Sequence, residues 1–165
     1  MHHRERAPLN KVAVFVDVQN IYYTTRQALG GQFNYRQFWR VLSQTSEIVV
    51  ANAYAIDKAD EQQRKFQSAL RHIGFDVKLK PFIQRSDGTA KGDWDVGITI
   101  DVMTIAPEVD EVILLSGDGD FAILLDTISE RYGVKTTAYG VPALTAQALM
   151  NAANSFVTID QHWLL

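Results

Sequence analysis

The segment Lys11 to Asp17, KVAVFVD, has no polar face. Its core residues are apolar at both odd and even positions and rich in valine, so as a strand it must be buried on both sides. Strands of that kind belong to parallel sheets covered by helices. Segments of two alternating kinds follow. Helical patterns are expected at Ile21–Leu29, Tyr35–Gln44, Asp60–Ile73, Trp94–Ile105, Phe121–Tyr132 and Ala143–Ala153. Strands are expected at Glu47–Ile56, Phe75–Ile83, Glu111–Leu115, Val134–Tyr139 and Phe156–Ile159. Phe38, Val41 and Leu42 fall on one face of the second helix. Phe66, Ala69, Leu70 and Ile73 recur at helical spacing in the third. The alternation in Phe75–Ile83 predicts a half-exposed strand near an edge, and Gln84–Asp93 reads as a loop. Trp94–Ile105 is apolar almost all round, which predicts a buried helix. Repeated β-α units imply a mostly parallel central sheet with helices on both faces, a three-layer α/β/α sandwich. The 165 residues show no repeat, no low-complexity tract and no dividing linker, so they are expected to form one domain, with residues 1–10 as a flexible arm.

In such a sheet, ligands bind at the carboxyl ends of strands, where the strand order reverses. Asp17 ends the first strand, and aspartate is poorly suited to strands. Asp118 and Asp120 lie in SGDGD, directly after the Glu111–Leu115 strand. Asp95 opens the helix leading into that strand, with Asp93 just before it. If the two strands are neighbours, Asp17, Asp118 and Asp120 converge and Asp95 leans over them. Clustered carboxylates raise one another's pKa or recruit a cation, and hard oxygen ligands select Mg²⁺ or Mn²⁺. Phosphodiester hydrolysis is the chemistry such a site suggests. Each acid also has a structural explanation: Asp120 as a helix cap, Asp118-Gly119 as a turn, Asp95 as a complement to a helix dipole.

Other residues rank behind these. Asp101 sits mid-helix, about 120° around from Asp95, and either faces the site, pairs with a base or reaches solvent. Asn20 is either an N-cap or a contact to substrate phosphate or metal-bound water. Ser116 either ligates or simply ends its strand, and Lys91 is a weak candidate for a phosphate contact. Tyr22, Tyr23 and Arg26, then Tyr35, Arg36, Phe38, Trp39 and Arg40, interleave aromatics with cations. Bases can stack on such a set, although helix packing explains it more simply. Lys78, Lys80, Arg85 and Lys91 form a loose basic stretch. The four histidines have no metal-like spacing.

Composition excludes several classes. There are no cysteines, hence no disulfides, thiolate catalysis or Cys-ligated metals. The net charge of −3 argues against binding nucleic acid by bulk charge alone. No apolar run approaches the roughly 20 residues of a membrane span, and Met1 to Asn10 lacks a signal-peptide core. A cytoplasmic protein with no membrane association is expected. A P-loop is missing, and an aspartyl-nucleophile phosphatase would carry a second aspartate two residues after Asp17.

At FVDVQN (Phe15 to Asn20), KGDWDVGITID (Lys91 to Asp101) and SGDGDF (Ser116 to Phe121), the chain resembles the NYN domains, PIN-like ribonuclease domains, and is closest in look to their LabA-like branch. The three motifs stand in the family's order and the likeness runs over nearly the whole chain. The resemblance implies a PIN-like, Rossmannoid sheet, an Mg²⁺ or Mn²⁺ site and metal-dependent cleavage of RNA, single-stranded or structured. Motif matching puts the metal-binding and catalytic acids on Asp17, Asp95, Asp118 and Asp120. It puts polar accessory positions on Asn20, Lys91 and Ser116, with Asp93 and Asp101 second. The competing expectations are a non-catalytic RNA-binding or regulatory module on the same fold, and a DNA nuclease. A homodimer or protein partner is the expected means of selecting RNA.

Overall fold

The structure is a computed structural model that describes residues 9–81 and 93–165 in full and, between them, the backbone of 83–84 and 90–91. The expected N-terminal arm lies almost wholly outside the described residues, as do the side chains of Arg85 and Lys91.

β1 (Asn10–Asp17) is the centre of a parallel six-stranded sheet. The other strands are β2 (Ser46–Asp57), β3 (Asp76–Pro81), β6 (Glu111–Leu115), β7 (Lys135–Gly140) and β8 (Ser155–Thr158). They stand in the order β3-β2-β1-β6-β7-β8. The chain builds outward from β1 in one direction, crosses back over the sheet, and builds outward in the other. The reversal falls between β1 and β6, whose parallel register sets Val16 opposite Leu115. A small antiparallel pair, β4 (Ile83–Gln84) and β5 (Ala90–Lys91), stands apart.

The doubly apolar character of β1 has a direct consequence. Val12, Val14 and Val16 face one core with Ile21 of α1 (Val18–Leu29), Phe38 of α2 (Tyr35–Ser43) and Leu70 of α3 (Glu61–Ile73). Ala13 and Phe15 face the other core. There they meet Ile98 and Val102 of α4 (Asp95–Ile105), Leu124, Leu125 and Ile128 of α5 (Ala122–Tyr132) and Leu149 of α6 (Gln147–Ala152). This is the expected three-layer sandwich. Helix α1 stops at Gly30, whose φ of +71° suits glycine.

Several local expectations are corrected. Helix α1 begins three residues early, at Val18, so Asp17 and not Asn20 is its N-cap residue. Helix α4 is not buried all round: Val96 is 70% exposed and Ile100 59%. An apolar composition does not fix burial when only one side of a helix meets the sheet. Val41 and Ala69 are exposed, while the polar Gln67 is buried in α3. The last long helix is split: Pro142–Leu144 forms a 3-10 turn, and α6 starts only at Gln147. The expected loop after β3 contains the β4–β5 pair.

Phe38 is 1% exposed and meets Phe33, Tyr139 and Trp163 edge-on or tilted. Phe38→Ala is expected to lower the unfolding free energy by about 3–5 kcal/mol in urea titration; a loss below about 1 kcal/mol would contradict this packing.

Candidate metal centre

Because β1 and β6 run side by side in parallel, whatever follows them emerges at the same edge. Asp17 is the last residue of β1, and Ser116 to Asp118 directly follow β6. The third element is α4, whose first residue is Asp95. Asp17, Asp95 and Asp118 each place one carboxylate oxygen within 4.8 Å of the other two, and each is half-buried.

The backbone around these acids is tightly specified. Ser116, fully buried, donates its hydroxyl hydrogen to Asp17 Oδ2 at 3.1 Å. The same hydroxyl oxygen accepts from the Asp118 N–H at 3.1 Å. One side chain thus ties the β1 acid to the β6 acid. Asn20, in the first turn of α1, accepts from the Gly117 N–H through Oδ1 at 2.8 Å. Gly117 is required there: a Cβ would lie 2.6 Å from the Leu144 carbonyl oxygen. Asp118 caps the following 3-10 turn, accepting from the Asp120 N–H at 2.9 Å.

Asp95 is positioned by its neighbour. The Trp94 indole N–H donates to the Ala55 carbonyl oxygen at 2.9 Å, near the end of β2, and its ring lies 5.3 Å from that of Tyr54. Lys80 reaches over the indole, 4.6 Å from the ring centre, and donates to the Asp93 carbonyl oxygen. Trp94 therefore pins the start of α4 to the sheet edge.

The electrostatics of the cluster favour a cation. Burial pushes the Asp17 carboxyl from 3.8 up to about 6, with smaller upward contributions from Asp118 and Asp93. The Ser116 hydroxyl and the nearby Asn20 N–H oppose this. Asp95 is pushed up to about 7, by burial first, then by its hydrogen bond to Asp118 and the charges of Asp118, Asp93 and Asp17. A raised carboxyl gains from nearby positive charge, whether a proton or a cation. Three close carboxylate oxygens with no nitrogen or sulfur donor fit a hard divalent cation such as Mg²⁺ or Mn²⁺.

The remaining sequence candidates divide as follows. Asp120 is exposed and stands outside the group of three, sharing a shallow hollow with Asp95, Thr99 and Phe121. Asp93 is exposed, and its Oδ1 lies 3.3 Å from the Asp95 N–H. Asp101 takes the paired option: it accepts from the Tyr54 hydroxyl at 2.7 Å and meets Lys78 Nζ at 3.3 Å. That also withdraws Lys78 from any basic rim. Ser116 and Asn20 are engaged in holding the acids and the Gly117 turn. Lys91 has only its backbone described, so its side chain lies outside the described residues. Trp94 and Tyr54 escaped the sequence reading. The signal was present for Trp94, a large aromatic lodged between two aspartates in a glycine-containing loop; Tyr54 carried none.

The chain is similar to known proteins over nearly its whole length. The NYN domain model matches residues 11–160. The low amplitude and bright protein LabA of Synechococcus elongatus is 28% identical over 159 residues, covering 92% of this chain and 84% of its own length. The crystal structure of a protein of unknown function from Vibrio parahaemolyticus is 55% identical with a TM-score of 0.92, covering 98% of this chain and 100% of that one.

Two outcomes are expected of this site. Ser116→Ala, which frees both acids without touching either, should weaken Mn²⁺ binding by about 10–100-fold in calorimetry; unchanged affinity would reject the linking role. The second concerns pH. Both raised acids stabilise the metal-free fold while protonated, an effect complete below about 4 and lost as pH rises through 6 and 7. Asp95→Asn lacks its share of that loss. Its melting temperature relative to wild type should therefore be higher at pH 8 than at pH 5 in chelator. A pH-independent difference would refute the assignment.

Proposed function

The chain belongs to the NYN domain family, and from that premise we propose that it is a metal-dependent endoribonuclease hydrolysing RNA phosphodiester bonds. The observation that carries the reading is the convergence of Asp17, Asp95 and Asp118 at the strand-order reversal. Family membership implies RNA as substrate or binder. The acidic cluster supplies a reason for chemistry beyond binding, since carboxylates pressed together beside an RNA backbone would repel it unless a cation intervened.

In this reading Asp17, Asp95 and Asp118 hold Mg²⁺ or Mn²⁺, which when bound activates water and offsets charge on the phosphate oxygens. The protein's own part is geometric. Ser116 keeps the Asp17 carboxylate turned toward Asp118. Asn20 holds the Gly117 turn so that Asp118 leaves β6 at a fixed angle. Trp94 sets the height of Asp95 over the strand ends. Asp120, exposed beside Asp95, and Asp93 take the rim, where they meet incoming substrate or water. Lys91 keeps the phosphate contact that its motif implies. No helix among the described residues is long and apolar enough to cross a membrane, and the reading places the protein in the cytoplasm.

Purified protein with Mn²⁺ is expected to cut labelled single-stranded RNA internally. Chelator should abolish cutting, and Asp118→Asn should reduce it by more than about a hundredfold while leaving the fold intact. RNA bound but left whole in Mn²⁺ would assign the chain instead to the non-catalytic, RNA-binding class. Cutting of DNA at an equal rate would remove the ribonuclease specificity.

A further inference from the structure

Beside the acidic edge the protein carries a cleft of about 470 Å³ between α1, the end of β2 and the start of α3. Its size is that of a site for a small ligand or one residue of a polymer. Its chemistry is opposite in sign to the neighbouring site. Arg26, Lys58 and Lys65 line it, and no carboxylate does among the described residues. Of the acids flanking its α3 side, Asp57 accepts from the Ala59 N–H, Asp60 from the Gln62 N–H, and Glu61 lies 4.0 Å from Arg64. In a chain of net charge −3, the Arg26 and Lys65 cations of this lining favour an anion.

The remaining lining selects what the anion is attached to. Tyr22 and Tyr23 are 36% and 52% exposed and meet edge-on at 5.5 Å, which leaves aromatic surface open to the cleft. Arg26 lies over the Tyr22 ring at 5.2 Å and donates to its hydroxyl at 2.8 Å. A guanidinium held beside an aromatic ring by a hydrogen bond keeps its charge and its planar face next to aromatic surface. Phe66 lines it from α3, and Gln62 and Gln63 add amides that carry both donors and acceptors. Flat apolar surfaces, amides that can read a hydrogen-bonding edge and cations for phosphate are together the requirements of a nucleotide.

The cleft also adjoins the metal centre. Val18 and Gln19, which form part of its wall, follow Asp17 directly in the chain. Tyr35 is a lining residue whose phenol is pushed up by burial first and then by the charge of Asp17.

We propose that this cleft is a nucleotide subsite of the same protein: it takes one unpaired base of an RNA strand, stacked among Tyr22, Tyr23 and Arg26, with the flanking phosphate on Arg26 and Lys65. The substrate class is therefore RNA with an unpaired nucleotide beside the cut, since a paired base must first be unpaired and unstacked to enter. The subsite rests on the ribonuclease reading only for the identity of the strand, because a free mononucleotide has the same chemistry.

The test is fluorescence anisotropy in chelator, with a short labelled single-stranded RNA, so that binding is read without metal or cleavage. Wild type should bind. Tyr23→Ala and Arg26→Gln/Lys65→Gln, all at exposed positions, should each weaken binding by about tenfold or more. The double variant should also flatten the slope of log affinity against log salt by about 0.7 for each phosphate it no longer neutralises. A fully paired duplex of the same sequence should not compete. Equal affinity of the double variant, absence of strand binding by wild type, or binding of uridine or adenosine monophosphate without the strand would each overturn the proposal. Mn²⁺ binding, read on the same proteins by electron paramagnetic resonance, separates the two readings. Loss of RNA affinity with Mn²⁺ binding intact supports the subsite, whereas RNA binding in a protein that takes no Mn²⁺ removes the nuclease reading and leaves the subsite standing.

Discussion

The repulsion among three half-buried carboxylates is the constraint on which the rest of this structure turns. Asp17, Asp95 and Asp118 come from three separate elements and would lower their energy by moving apart. They are held together by groups with no chemistry of their own: the Ser116 hydroxyl, the Asn20 amide, the Trp94 indole and the glycine at 117. A fold relieves such crowding by neutralising the acids or by giving them a cation. The upward shifts of Asp17 and Asp95, driven first by burial and then by the neighbouring acids, are the first response, and the metal proposed here is the second.

The sheet makes that confinement possible. β1 is bonded on both sides and packed on both faces, so the end of the strand has little freedom. The chain's return across the sheet places β6 beside it, and the acids after both strands then meet at one edge. Beyond them the surface changes character. The acidic centre gives way to a cleft lined by tyrosines and cations, so the proposed metal site and the proposed nucleotide subsite lie next to each other. Neighbouring sites of opposite charge suit a polymer whose phosphate and base are separate groups.

Much of this was legible in the sequence because the signals were strong and local. KVAVFVD reads as a buried strand, and an aspartate at its end had to be explained. The placement of Asp118 followed from SGDGD after a second apolar strand. What sequence could not settle were questions of direction. Asp101 lies in the same helix as Asp95, yet it is held by Tyr54 and Lys78, contacts made across 47 residues in one case. Asp120 belongs to the same motif as Asp118, but the 3-10 turn that Asp118 caps carries it outward. The exposed Val96 and Ile100 show the same limit, since hydrophobicity in α4 does not say which side meets the sheet. Tyr22, Tyr23 and Arg26 were visible as an aromatic and cationic run, but only the distance between α1 and α3 leaves an opening beside them.

The central claim is that the three acids form one metal-binding centre. Its most direct test is a crystal soaked in millimolar Mn²⁺, with the ion located by its anomalous scattering. The account predicts a peak bonded to carboxylate oxygens of Asp17, Asp95 and Asp118, at a distance close to the ~2.1 Å of hard-cation sites, and no such peak in crystals of Asp118→Asn. A cluster that stays empty at that concentration, or a peak held elsewhere on the surface, would contradict it.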